Sequence, residues 1–264
     1  MSDTYAPPAS ATVLAIETST ASLAAAVVRD GETLGSVQSF AERNHSVLIV
    51  PEIQALLKEC GVSPDSLGAI AVGQGPGSYT GVRIAVSVGK TLAWAWGKTL
   101  LGVSSLEALA LGAWRTYKEN AGGSIAGPVW LVPVMDARRG QVYTARFLAD
   151  ASGRWERLDA DGIRLAAEWA EQLRTEAAAG MGPAPAILAA GEIGPQLEAA
   201  FGAGNETGPA IRLVPHAMEA VSVAELAAER LRRGERDEIH AFVPNYTQLA
   251  EAEAKLLAAR ARGD

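Results

Sequence analysis

Between Gly73 and Gly81 the chain reads Gly-Gln-Gly-Pro-Gly-Ser-Tyr-Thr-Gly, and no other segment restricts the fold as sharply. Four glycines and a proline separate an apolar run at 69–72, which reads as a strand, from a longer one at 82–96, which reads as a helix. Glycine admits positive φ and close backbone approach, Pro76 fixes φ, and the start of the helix offers unpaired N–H groups. Such a turn suits an anion. It is not a Walker A loop, because Val82-Arg83 follows Gly81 where Lys and Ser/Thr are required. Nor is it a dinucleotide fingerprint, because residue 78 is Ser where the third glycine belongs. Two readings stand: a tight structural turn, or the edge of a ligand or partner site.

Around this turn the periodicity defines an α/β order. Val13–Ile16 is apolar and ends in Glu17-Thr18-Ser19-Thr20, as a buried strand ends in an exposed turn. Residues 23–28 and 33–40 follow as strands joined through Arg29-Asp-Gly-Glu32. Leu48, Ile49, Glu52, Ile53, Leu56 and Leu57 predict a helix over 46–60, stopped by Gly61. Ile84, Val88, Leu92 and Trp96 share one face of the helix over 82–96. A short strand over 99–101 leads to a serine-capped helix from Ser104-Ser105 to about Lys118. After a Gly-rich linker the opening hairpin recurs, with strands at 130–135 and 141–148 and a tight connection over 136–140. Helices at 168–179, 195–201 and 221–233 then alternate with strands at 187–190 and 211–214. Two comparable halves result: a leader at 1–10, a first lobe at 11–118, a linker at 119–128, a second lobe at 129–248, and a C-terminal helix or tail at 249–264.

Composition narrows the functional classes. Thirty acidic against 23 basic residues give a net charge of -7, which makes an independent RNA-binding module the poorest reading. The single cysteine, Cys60, excludes an intrachain disulfide and any paired-cysteine metal site. No apolar run reaches the roughly 18 residues that span a bilayer, and residues 1–10 lack a signal-peptide pattern. The expectation is a cytoplasmic chain with no membrane contact.

The polar clusters each carry two readings. Glu17 and Asp136 form either a metal-bridging carboxylate pair across two lobes or two local acceptors of loop N–H groups. His45, His216 and His240 are scattered, with no HExxH segment. Ser46 beside His45 reads as a helix cap, and Cys60 as a small buried hydrophobe. Trp94 and Trp96 fit either the core or the centre of an interface.

Three blocks support a comparison: Leu14-Ala-Ile-Glu-Thr-Ser-Thr20, Arg43-Asn-His-Ser46, and Gly73 through Ala85. Later ones agree: Leu101–Leu109, Val134-Met-Asp-Ala-Arg-Arg-Gly-Gln-Val-Tyr143, and Pro244-Asn-Tyr246 followed by Glu251-Ala-Glu253. Together they resemble the TsaB family of bacterial threonylcarbamoyladenosine biosynthesis proteins over almost the whole chain. The resemblance implies the two-lobed fold of actin, Hsp70 and sugar kinases, each lobe a ribonuclease H-like mixed sheet with covering helices. It implies a noncatalytic subunit that pairs with a TsaD-like catalytic subunit and, through the complex, with a TsaE-like ATPase and tRNA. The product is N6-threonylcarbamoyladenosine at position 37 of ANN-decoding tRNAs.

The resemblance places partner contacts at Leu48, Glu52, Leu56, Ile84, Val88 and Leu92. It places Gly75, Pro76 and Gly77 in a shaping loop at a crevice, with Arg83 as a polar-contact candidate; Glu17, Thr18 and Asp136 are ligand-proximal candidates by their position, Glu17 and Thr18 where the first strand ends and Asp136 opposite them in the second lobe. No catalytic residue, metal ligand or cofactor is assigned to this chain, and ATP and Mg²⁺ belong to the wider complex. The same apolar surface leaves a homodimer open when the partner is absent. Tyr246-Thr247-Gln248 departs from the family's Tyr-Leu-Arg continuation. The competing reading is an actin-fold ATPase or small-molecule kinase, which needs an organised set of charges around phosphate and metal.

Overall fold

The computed structural model describes residues 12–40, 45–122, 125, 127–179, 185–204 and 209–247. The leader at 1–10, Arg43-Asn44 and the tail at 249–264 lie outside the described residues, as does part of the linker.

The first half runs β1 (Thr12–Glu17), β2 (Ser22–Arg29), β3 (Glu32–Phe40), α1 (His45–Glu59), β4 (Ala69–Gly73), α2 (Tyr79–Trp96), β5 (Thr99–Val103) and α3 (Ser105–Asn120). The second runs β6 (Val129–Arg138), β7 (Gln141–Ala149), β8 (Trp155–Leu165), α4 (Ala166–Ala179), β9 (Ala186–Gly191), α5 (Pro195–Gly202), β10 (Ile211–Pro215) and α6 (Ala220–Arg232). The strand orders are β3-β2-β1-β4-β5 and β10-β9-β6-β7-β8. In both sheets an antiparallel three-strand meander continues into two parallel strands. The recurrence in the sequence is therefore a recurrence of topology, and the architecture is the two-lobed actin-like one.

Three apolar layers hold it together. α1 and α2 cover the outer face of the first sheet through Ile49, Ile53, Val82 and Val86, which meet Leu14, Ile16, Ile70 and Val72. Trp169, Leu173 and Phe201 of α4 and α5 cover the outer face of the second sheet. Between the sheets lie α3 and α6, with Leu106, Leu109, Trp114, Val223 and Leu231 packed on strand residues of both lobes. β1 and β2 are consequently buried on both faces, and their sequence is a continuous apolar run rather than an alternating one.

The structure departs from the periodicity in four places. No element is expected from the periodicity between 148 and 168, yet β8 lies there, an edge strand whose mixed burial and charged residues (Glu156, Arg157, Asp159, Asp161) give no apolar alternation. α2 starts three residues early, at Tyr79, because Ser78 caps it by accepting the Gly81 N–H. α1 starts at His45, so Ser46 lies within the helix instead of capping it. β6 continues through Asp136 to Arg138, and the connection to β7 is only Arg139-Gly140. In addition α6, which follows the second-lobe strands in sequence, lies across β1, β2, β4 and β5 of the first sheet. Arg115 of α3 pairs with Glu219 and Glu225 beside it.

Candidate functional site

The turn after β1 and the glycine turn after β4 are built against each other. Thr18 Oγ1 donates to the Gly81 carbonyl at 2.7 Å, and the Ser78 N–H donates to the Ser19 carbonyl at 2.7 Å. α3 closes the assembly: the Ser105 N–H donates to the Gly75 carbonyl at 2.9 Å, while Ser105 Oγ accepts the Gly75 N–H at 3.1 Å. The glycines serve packing as much as torsion. A Cβ at Gly81 would overlap the Thr18 carbonyl, and one at Gly73 would overlap the Glu17 carboxyl. The Gly75–Pro76 peptide is cis.

Glu17 lies beneath this assembly with no solvent exposure. Its Oε1 accepts the Ser19 N–H at 2.6 Å and its Oε2 accepts the Ser105 hydroxyl at 2.7 Å. One oxygen therefore holds the turn after β1 and the other the start of α3. Burial raises its pKa, against the opposing pull of the hydrogen bonds from Ser105, Ser19 and Thr18. The folded state thus binds this proton more tightly than the unfolded chain does. The contribution to stability is full below the ordinary carboxylate value and is lost as pH rises through the folded pKa. Glu17→Gln is expected to remove that loss, so its stability relative to the parent should grow with pH from 4.5 to 8. Urea unfolding of the two proteins across that range checks it, and parallel curves would contradict it.

Between the lobes opens a cleft of about 930 Å³. One wall is Ser19, Thr20 and Ala21 with Gly77, Ser78 and the first residues of α2, Tyr79 to Gly81; the other is Met135 to Arg138, Tyr143 and Glu192. Gly77 and Asp136 line this space, whereas Glu17, Thr18, Gly75 and Pro76 do not. The cross-lobe carboxylate pair is thus not formed: Glu17 is enclosed, and Asp136 is exposed and accepts the Arg138 N–H at 2.7 Å. Among the described residues no group of three or more His, Cys, Asp or Glu side chains is arranged to hold a metal ion.

Sharing Ser46, Tyr79, Thr80 and Ile84 with the cleft, a groove of about 410 Å³ runs along α2 and is completed by Arg83, Ser87 and Val88. Arg83 donates to the Tyr79 hydroxyl at 2.7 Å and sits over its ring. Ile84, Val88, Leu92 and Leu48 are half-buried apolar residues packed on the first-lobe core, and Glu52 is half-buried on α1. Leu56 requires correction: it is 4% exposed and belongs to the interior, because the α1 face that carries Ile49, Ile53 and Leu57 carries it too. Trp94 is 68% exposed, while Trp96 packs on the core. Cys60 is only half-buried, and burial together with the neighbouring Glu59 charge raises its thiol pKa.

Tyr79, Ser87 and Arg138 are not among the site residues expected from the sequence. Tyr79 and Ser87 carry neither charge nor apolar period, and Arg138 reaches the cleft only because β6 extends past Asp136. Tyr246 lay within a quoted block, but its place, 5.5 Å from the Tyr79 ring, has no signal in spacing.

Comparison with known proteins bears on the family and the fold. The family model described as TsaD, tRNA N6-adenosine threonylcarbamoyltransferase, matches residues 23–256. A Bacillus subtilis (strain 168) protein named tRNA threonylcarbamoyladenosine biosynthesis protein TsaB is 34% identical over 92% of this chain and 97% of its own length. An Escherichia coli (strain K12) protein of the same name is 34% identical over 57% of this chain and 61% of its own. An Anaeromyxobacter dehalogenans threonylcarbamoyltransferase is 41% identical, but over only 36% of this chain and 33% of its own. The solved structure titled YeaZ from Pseudomonas aeruginosa superposes with a TM-score of 0.67 at 28% identity, covering 89% of this chain and 99% of that one. Among the described residues no helix is long and apolar enough to cross a membrane. With a relative matched over nearly its entire length and the fold shared from end to end, the chain belongs to the TsaB family of tRNA threonylcarbamoyladenosine biosynthesis proteins.

Proposed function

We propose that this chain acts in N6-threonylcarbamoyladenosine formation as a noncatalytic activating subunit, docking a TsaD-like subunit that transfers the threonylcarbamoyl group to adenosine 37 of ANN-decoding tRNAs. The observation that carries the reading is the contrast between its two surfaces. The acid at the end of β1 is enclosed and hydrogen-bonded on both oxygens, so it serves the fold, while the apolar groove on α2 lies open beside it. An open apolar face on a helix is suited to a partner helix that removes it from water. On this reading ATP and Mg²⁺ act in the wider complex, a TsaE-like ATPase and tRNA engage through that complex, and a second copy of the chain occupies the face when the partner is missing. A cytoplasmic site of action goes with it.

The test is omission. Threonylcarbamoyl transfer reconstituted from the TsaD-like and TsaE-like proteins with tRNA is expected to fall at least tenfold when this chain is left out. The chain alone is expected to turn over neither ATP nor threonylcarbamoyl donor. Transfer at full rate without the chain, or substrate turnover by the chain alone, overturns the proposal.

A further inference from the structure

Pro244-Asn245-Tyr246 lies outside the lining of both the cleft and the α2 groove, yet both lobes hold it. The strap that carries it, residues 233–247, follows α6 back over the first lobe. Asp237 bridges to Leu100 of β5, and Lys90 Nζ of α2 donates to the carbonyls of His240 at 3.2 Å and Phe242 at 2.8 Å. The Asn245 N–H then donates to the Gln74 carbonyl at 2.7 Å, just after β4. Its side chain turns to the second lobe instead: Nδ2 donates to Asp161 Oδ2 at 3.1 Å.

Asp161 is placed for this by a bulge in β8. Thr144 pairs with Gly162 and Arg146 with Asp159, so Ala160 and Asp161 together oppose Ala145. An extra residue in an edge strand re-aims the side chains beside it. The Asp161 side chain is 10% exposed, and its other oxygen, Oδ1, accepts from Arg157 at 2.6 Å. Arg157 also donates to Glu107 Oε2 of α3 at 2.6 Å. Carboxylate, guanidinium and amide thus form a charge-assisted chain from α3 through β8 to the strap. Where it ends, Tyr246 sets its ring 5.5 Å from that of Tyr79. Tyr79 lines the groove, and its hydroxyl accepts from Arg83, which lines it as well and lies over the ring at 5.2 Å.

We propose that Asp161, Asn245 and Tyr246 are positioning residues for the docking groove: the second lobe, through the bulge, fixes Tyr79 and Arg83 in the arrangement that a partner meets. Tyr79 and Tyr246 are both exposed, so neither is held by a core, and an unsupported tyrosine–arginine pair has to be ordered at the moment of docking. Held in advance, it costs the complex less. The positioning stands on contacts within this chain; that a TsaD-like subunit is what meets it rests on the function proposed above.

The experiment uses the full chain. Asn245→Asp sets a second carboxylate against Asp161 at unchanged shape, and adding Asp161→Asn exchanges donor and acceptor and restores the bond. With 3-fluorotyrosine in place of the five tyrosines, the Tyr79 resonance, identified by its loss in Tyr79→Phe, is expected to shift in Asn245→Asp and to return in the exchanged pair. Affinity for the TsaD-like protein, read by sedimentation, is expected to fall about tenfold in Asn245→Asp and to recover in the exchanged pair. In a Tyr246→Ala background Asn245→Asp is expected to cost no further affinity, because it acts through that ring. Should the doubled carboxylate unfold the lobe, Asn245→Ala removes the bond without a new charge and gives the same readings in smaller measure. An unmoved Tyr79 resonance in the folded variant overturns the positioning, and so do affinity losses that add. A moved resonance with unchanged affinity overturns its service to the groove. A moved resonance in a chain whose parent binds no TsaD-like protein keeps the positioning and removes the proposed function; an unmoved one with the parent binding does the reverse.

Discussion

Gly81→Ala is expected to destabilise the protein by about 3 kcal/mol and lower its melting temperature by about 10 °C. Helix propensity alone says the opposite, since alanine is favoured over glycine by about 1 kcal/mol inside a helix. The sign is decided by the Thr18 carbonyl, which lies where the new methyl would go. To admit it, the β1–β2 turn must retreat from α2 and strain its two hydrogen bonds there. Gly97 supplies the contrast. It ends α2 in the left-handed region at φ 61° with open space around it, so Gly97→Ala is expected to cost only about 1 kcal/mol, the conformational penalty by itself. Thermal unfolding followed by circular dichroism ranks the two; a neutral or stabilising Gly81→Ala would refute the close approach.

Ser87→Arg is expected to weaken assembly with the TsaD-like subunit about 100-fold, or about 2.7 kcal/mol, while leaving thermal stability within about 0.5 kcal/mol of the parent. Ser87 is exposed in the floor of the apolar groove, so a guanidinium there costs the fold little and must be desolvated by any helix that docks. Sedimentation of the mixed proteins reads the effect, and unchanged affinity would move the interface off this groove. Leu56→Asp makes the control: its side chain is in the core, so it is expected to unfold the first lobe by several kcal/mol without reporting on the partner.

How much was legible beforehand follows from what each residue needs. Ile49, Ile53, Leu56 and Leu57 are buried by their own helix face, and the periodicity that predicts α1 is the cause of its burial. β1 and β2 announce themselves because both faces are covered. β8 does not: an edge strand half in water is under no pressure to alternate, and Arg157 there is held by Glu107 of α3 and by Asp161. α6 is readable as a helix, yet nothing in its period says which sheet it will cover.

At the site the division is sharper. Residue order by itself determined the two α/β halves, the strand–glycine turn–helix unit, and the family blocks, because these depend on local propensity and spacing within a few turns of chain. Only the tertiary structure decided that Glu17 is an internal anchor and Asp136 a cleft residue, that Leu56 faces inward, and that Tyr246 arrives at Tyr79. Those outcomes depend on segments distant in sequence meeting at a few ångströms, where burial and hydrogen-bond partners assign a carboxyl or a leucine its role. The identity of a residue specifies its chemistry, but the surroundings that select one use of that chemistry are assembled by the whole fold.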